Sequence, residues 1–212
     1  RPAPPTSAAT SSISTVRPAS ASAVMSGSTP FCSSGSPPVS STSGVPVARI
    51  LAVHGGERVE RDGWSIQIIK SLHSRIGDDL LGGVFGEDPR LPLRGGDYPE
   101  GGTFAYLVRV GGHEVLFLGT ANFIEREVEG LRPDVAVIAT GLRGEIHDYT
   151  CRLMRALGRP PLVIANHFDD WRGPPVDGPQ DEDMRAFIAE VARCAPATRV
   201  VVPRHFVRMA VP

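Results

Sequence analysis

The chain has 212 residues and a formal net charge of −1, so no strong field directs it toward nucleic acid or an anionic membrane surface. Its hydrophobic fraction of 41% is ordinary for a globular protein, and no apolar run is long enough to span a bilayer. The three cysteines, Cys32, Cys151 and Cys194, match no zinc-ribbon or redox spacing, which predicts no disulfide framework and a reducing, cytoplasmic compartment.

Residues 1–45 are dominated by Ser, Pro, Ala and Thr and show neither helical nor strand periodicity. Such a segment cannot bury enough apolar surface to offset its conformational entropy, which predicts a disordered tract. The chain begins with Arg1, and no basic region followed by an apolar core marks a signal peptide. Ser, Pro, Ala, Thr and Arg are also what GC-rich DNA encodes out of frame. A frameshift or mispredicted start is therefore preferred over a native linker as the origin of the tract.

Composition changes at Val45, and residues 46–212 read as a partial folded domain. A strand is predicted over 47–53, with a turn starting at His54-Gly-Gly-Glu-Arg58. A second strand covers 64–70. The Gly- and Pro-rich stretch 77–102 reads as a long loop beside a site. Residues 103–110 and 114–118 flank Gly111-Gly112 as a hairpin. Asn122, with Glu125 three residues on, is predicted to cap a helix ending near Gly130. Residues 134–140 form a continuous apolar strand of the kind covered on both faces. A helix over 145–157 stops at Gly158 and Pro160.

Residues 162–165 are a strand. Met184, Phe187, Ile188, Val191 and Ala192 recur at helical spacing within 180–194, and 199–202 is a last strand. Cys151 and Cys194 fall in the predicted helices as small buried apolar residues. Antiparallel strands followed by β/α alternation predict an α/β fold of α and β layers.

The chemistry-bearing candidates sit at strand ends. The apolar run 161–166 delivers His167, Asp169 and Asp170 into a loop, and the strand 64–70 delivers His73. Rigid strands that present imidazoles and carboxylates in loops are a common way to build metal or catalytic sites. Asp169 and Asp170 could orient a ligand imidazole or cap the turn before Gly173-Pro-Pro. His54, His113 and His147 read as surface residues, and His205 as packed or hydrogen-bonded. Ser71 or Ser74 beside His73 could serve Ser-His chemistry, but no nucleophile-elbow motif accompanies them.

Four stretches in this order resemble the C-terminal half of the metallo-β-lactamase superfamily, in particular its ascorbate-lactonase-like hydrolases. They are Val53-His-Gly-Gly-Glu57 through Ile66-Gln-Ile-Ile-Lys-Ser-Leu-His73; Gly102-Thr-Phe-Ala-Tyr-Leu-Val108 with Val115-Leu-Phe-Leu-Gly-Thr120; Glu129-Gly-Leu-Arg-Pro-Asp-Val-Ala-Val-Ile138; and Asn166-His167-Phe-Asp-Asp-Trp171. The resemblance implies half of an αββα sandwich and a metal-dependent hydrolase of a small-molecule ester, lactone, amide or phosphodiester. It implies zinc, or another divalent ion such as manganese, held by His73 and His167.

The sequence departs from the family at two places. It has no H-x-H-x-D-H motif, and Thr120, or Asn122 if the turn is shifted, stands where the family places a bridging carboxylate. Two imidazoles alone predict weak metal binding. Half a sandwich predicts exposed sheet faces and self-association through them. The competing expectation is a non-catalytic, metal-poor module of the same fold, with neither a nucleic acid nor a membrane as partner.

Overall fold

A computed structural model describes residues 51, 53–76, 79–80, 102–169 and 182–210. The predicted 1–45 tract, nearly all of the 77–102 loop and Asp170 lie outside the described residues.

The first described strand is β1 (Arg58–Arg61), paired with β2 (Trp64–Lys70) through the two-residue turn Asp62-Gly63. The sequence reading placed a strand earlier, over 47–53, and a turn here. Of that stretch, Leu51 and Val53 are described and neither is in a strand. Arg58-Val-Glu-Arg61 holds only one apolar residue, so periodicity misses it. Asp-Gly is the local signal, because the turn needs the positive φ of Gly63, 84°. A two-residue ladder joins β3 (Arg75–Ile76) to β4 (Asp79–Leu80). The hairpin β5 (Phe104–Val110) and β6 (His113–Leu118) turns at Gly111-Gly112, both with positive φ, as expected.

From β6 onward strands and helices alternate. α1 (Glu125–Val128) leads to β7 (Val135–Ala139), a 3-10 turn (Arg143–Glu145) and α2 (Tyr149–Ala156) lead to β8 (Leu162–Asn166), and α3 (Glu182–Cys194) leads to β9 (Arg199–Val201). The seven-stranded sheet runs β1-β2-β5-β6-β7-β8-β9. β2, β5 and β6 pair antiparallel, and β6 through β9 pair parallel. The layered α/β class expected from the sequence is the class observed.

Successive crossovers that step one way across a sheet with one hand put their helices on one face. That face carries the core. Ile69, Ala105, Leu118, Ile138 and Ala165 form one cross-strand row, and Leu107, Leu116, Ala136 and Val163 the next. All are buried with Leu153, Met154, Met184, Phe187 and Val191 of the helices. The opposite face holds a smaller cluster drawn from strands alone, Val135, Leu162 and Ile164 with Val115, Val137 and Val201 around them.

Two local expectations are corrected. α1 begins at Glu125 with Ile124 as its N-cap and no side-chain cap, because Asn122 is committed elsewhere. The cysteines of α2 and α3 are not isolated apolar fillers. Cys151 and Cys194 form a disulfide with their Cα atoms 5.4 Å apart. Their separation of 43 residues hides the pair from any spacing motif. Only the parallel docking of α2 beside α3 brings them together.

Arg143 is the other link between these helices. Its guanidinium is 5% exposed and bonds Asp183 Oδ2, the Asp183 carbonyl and the Glu190 carboxylate, with Phe187 packed beneath it. Burial alone would lower its pKa. The hydrogen bonds and charges of Glu190 and Asp183 outweigh that and raise it, so the cation is held firmly.

Candidate functional site

β2 is antiparallel to β5, and β5 to β6, so β2 points the same way as β6, β7, β8 and β9. The carboxyl ends of five strands therefore share one edge of the sheet. The loops leaving them carry His73, Thr120 and Asn122, Gly141, His167 and Asp169, and His205. In open α/β sheets this is the edge where ligands bind.

His73 follows β2 in a loop laced to the loop after β6. Thr120 Oγ1 accepts the Ser74 backbone N–H at 2.9 Å and donates to Ser74 Oγ at 3.1 Å. Asn122 Nδ2 donates to the His73 carbonyl at 2.9 Å, and Asn122 Oδ1 accepts the Phe123 N–H. Ser71 Oγ donates to the Asn122 carbonyl. Ser71, Ser74, Thr120 and Asn122 are all under 10% exposed. Thr120 and Asn122 thus brace the His73 loop.

His73 Nδ1 lies 2.9 Å from the Ser74 carbonyl. That acceptor requires a proton on Nδ1, so in the neutral ring Nε2 carries the lone pair, the form in which an imidazole binds a metal. Ser74 Oγ is 3.5 Å from Nδ1, but Ser74 is buried and accepts from Thr120. Its hydroxyl is committed inside the fold, as is that of Ser71, which donates to the Asn122 carbonyl.

His167 follows β8 with φ 52°, a left-handed conformation uncommon outside glycine. Two contacts hold it there. Asn166 Oδ1 accepts the His167 N–H at 2.8 Å, and the Gly141 N–H donates to the His167 carbonyl at 2.9 Å. A Cβ at position 141 would lie 2.7 Å from that carbonyl oxygen and 3.1 Å from His167 Nδ1, so only glycine fits. Sequence reasoning missed Gly141 and Asn166. The Thr-Gly step after an apolar strand was their only signal.

Asp169 does orient an imidazole, but that of His205, at 3.4 Å from Nε2. His205 also packs against Phe168, the rings tilted by 48° with centroids 5.8 Å apart. His205 is packed and paired, as read from the sequence. His54, His113 and His147 are exposed.

These residues do not by themselves fit a binuclear metal centre. His73 and His167 leave strands separated by four inter-strand spacings, about 19 Å along the edge. Among the described residues no group of three or more His, Cys, Asp or Glu side chains could hold an ion. The neutral oxygens around His73 are already engaged. Among the described residues no helix is long and apolar enough to cross a membrane.

Three solved structures are similar to part of this chain at low identity. The metallo-β-lactamase fold protein YhfI from Bacillus subtilis matches at 11% identity and a TM-score of 0.43, over 73% of this chain and 52% of that one. The metallo hydrolase Igni18 from Ignicoccus hospitalis matches at 16% identity and 0.40, over 73% and 57%. The isothiocyanate hydrolase from Delia radicum gut bacteria matches at 14% identity and 0.46, over 76% and 59%. This chain resembles metallo-β-lactamase-fold proteins. It spans between half and three-fifths of the length of these structures. No protein-family model and no curated protein matches the sequence.

Proposed function

We propose that the whole protein is a cytoplasmic metal-dependent hydrolase of a small ester, lactone, amide or phosphodiester, in which His73 and His167 bind metal. One observation supports this most. Both histidines leave parallel strands at one carboxyl edge, His73 with its Nδ1 tied to a backbone carbonyl and His167 held in a fixed left-handed turn. A zinc or manganese ion bound at either histidine, together with ligands outside the described residues, would lower the pKa of a water and polarise the scissile group. The described residues do not complete such a site, so the 212-residue chain should hold metal weakly.

The test is metal content after equilibrium dialysis against zinc and manganese, with turnover of p-nitrophenyl acetate and bis-p-nitrophenyl phosphate. Bound metal that is lost in both His73→Ala and His167→Ala supports the proposal. Binding unchanged in both variants overturns it. A second reading, a metal-poor binding or scaffold protein, is favoured by Thr120, whose hydroxyl is consumed by Ser74 where a carboxylate ligand would be needed. It expects no saturable metal and no turnover.

A further inference from the structure

We propose that the Cys151–Cys194 disulfide is a reversible redox brace whose state sets the geometry of the loop at His167.

Both redox states are provided for. Cys194 is the more exposed residue of the pair, half-buried where Cys151 is 6% exposed. An external thiolate therefore attacks Cys194 Sγ and expels Cys151 as the leaving thiolate. Arg193 Nη2 lies 3.7 Å from Cys151 Sγ, and a guanidinium there stabilises that thiolate and speeds its departure. Once reduced, the Cys194 thiol has an acceptor in the Glu190 carbonyl, 2.9 Å from its sulfur. A second thiolate resolves the mixed disulfide. Overall two small-molecule thiols, such as glutathione, give two electrons to the cysteine pair, their two protons end on Cys151 and Cys194, and one small-molecule disulfide is released; oxidation by that disulfide is the reverse. In a reducing compartment, disulfides of this kind are transient and sensing rather than structural.

Glu190 connects the brace to the candidate site. Its carbonyl lies beside both sulfurs, at 2.9 Å and 3.9 Å. Its carboxylate accepts from Thr150 Oγ1 at 2.5 Å and from Arg143 Nε at 3.2 Å. Arg143 belongs to the 3-10 turn that follows Thr140-Gly141. Those two residues bond the Asn166 and His167 carbonyls through their N–H groups, both at 2.9 Å. Releasing the end of α3 loosens Glu190, then the Arg143 clamp, then the backbone contact that holds His167. This path holds whether or not His167 binds metal.

The experiment uses the full chain carrying Cys32→Ser, equilibrated with oxidised and reduced glutathione at varied ratios. Alkylation with mass analysis reports the bond. Amide hydrogen exchange at Thr140 and Gly141 reports the loop. The expected result is a Cys151–Cys194 crosslink that forms and reverses with the ratio. Exchange at both amides should be at least tenfold faster in the reduced form. With Cys151→Ser, or Cys194→Ser should the first not fold, exchange should no longer respond to glutathione. The proposal is overturned if the crosslink fails to form at any ratio. It is equally overturned if the crosslink forms with no change at Thr140 and Gly141, or if the serine variant still responds.

Discussion

Thr120→Val keeps the shape of the side chain and removes both hydrogen bonds to Ser74. The buried Ser74 N–H then loses its acceptor, at a cost of about 1–3 kcal/mol. Chemical denaturation should show that loss, and the His73 ring resonances should move because the adjacent backbone relaxes. Gly141→Ala drives a methyl toward the His167 carbonyl, 2.7 Å from the ideal Cβ. Overpacking of this kind costs roughly 1–3 kcal/mol and should displace His167, read in the same two measurements.

Glu57 carries a pH-dependent term. Desolvation pushes its carboxyl pKa up, but the N–H groups of His54 and Gly55, with the rest of its turn, outweigh that and hold it below the usual value. A depressed pKa means a stabilising contribution present above the unfolded value, about 4.3, and lost as pH falls through the folded one. In Glu57→Gln that part of the acid limb of the stability curve should be missing.

Among the elements, α3 is held by two devices that act at a distance in sequence. Arg143→Met keeps much of the packing on Phe187 but releases Asp183 and Glu190. Both acids retain solvent access, so the expected loss is about 2 kcal/mol, below the roughly 3–5 kcal/mol for breaking a fully buried pair. The helical signal from 184, 187, 188 and 191 tells that α3 exists and which face is buried. It says nothing of what pins that face. Reducing the disulfide opens a loop of 43 residues, worth about 4 kcal/mol on chain-entropy grounds. The thermal midpoint of the oxidised chain should therefore fall by about 10 °C with dithiothreitol. β1 shows the opposite case. Its strand residues are polar because it is an edge strand, so only its turn announces it.

For the whole molecule, the decisive asymmetry is between the two faces of the sheet. The helices take one face. On the other, Trp64, Val110 and Phe117 are 38%, 49% and 40% exposed. An apolar face of this kind favours association. Sedimentation velocity should show concentration-dependent oligomers, and Phe117→Lys should shift them toward monomer without lowering the melting temperature. A monodisperse monomer at high concentration would refute that expectation.

The sequence alone was enough for the layered class, for β2 and β5 to β9 nearly to the residue, and for α2 and α3. In each case burial is periodic, and periodicity is a local property. It also singled out His73 and His167, because an apolar strand that ends in a histidine is visible in one window. What the tertiary structure decided lies between windows. Parallel pairing put both histidines on one edge, yet four strand spacings apart. Thr120 and Asn122 became brackets because Ser74 and His73 lie across the sheet from them. Cys151 met Cys194, Arg143 met Glu190, and Gly141 met His167 only through docking of elements distant in sequence. Such contacts depend on three-dimensional packing, and no spacing along a single chain encodes them.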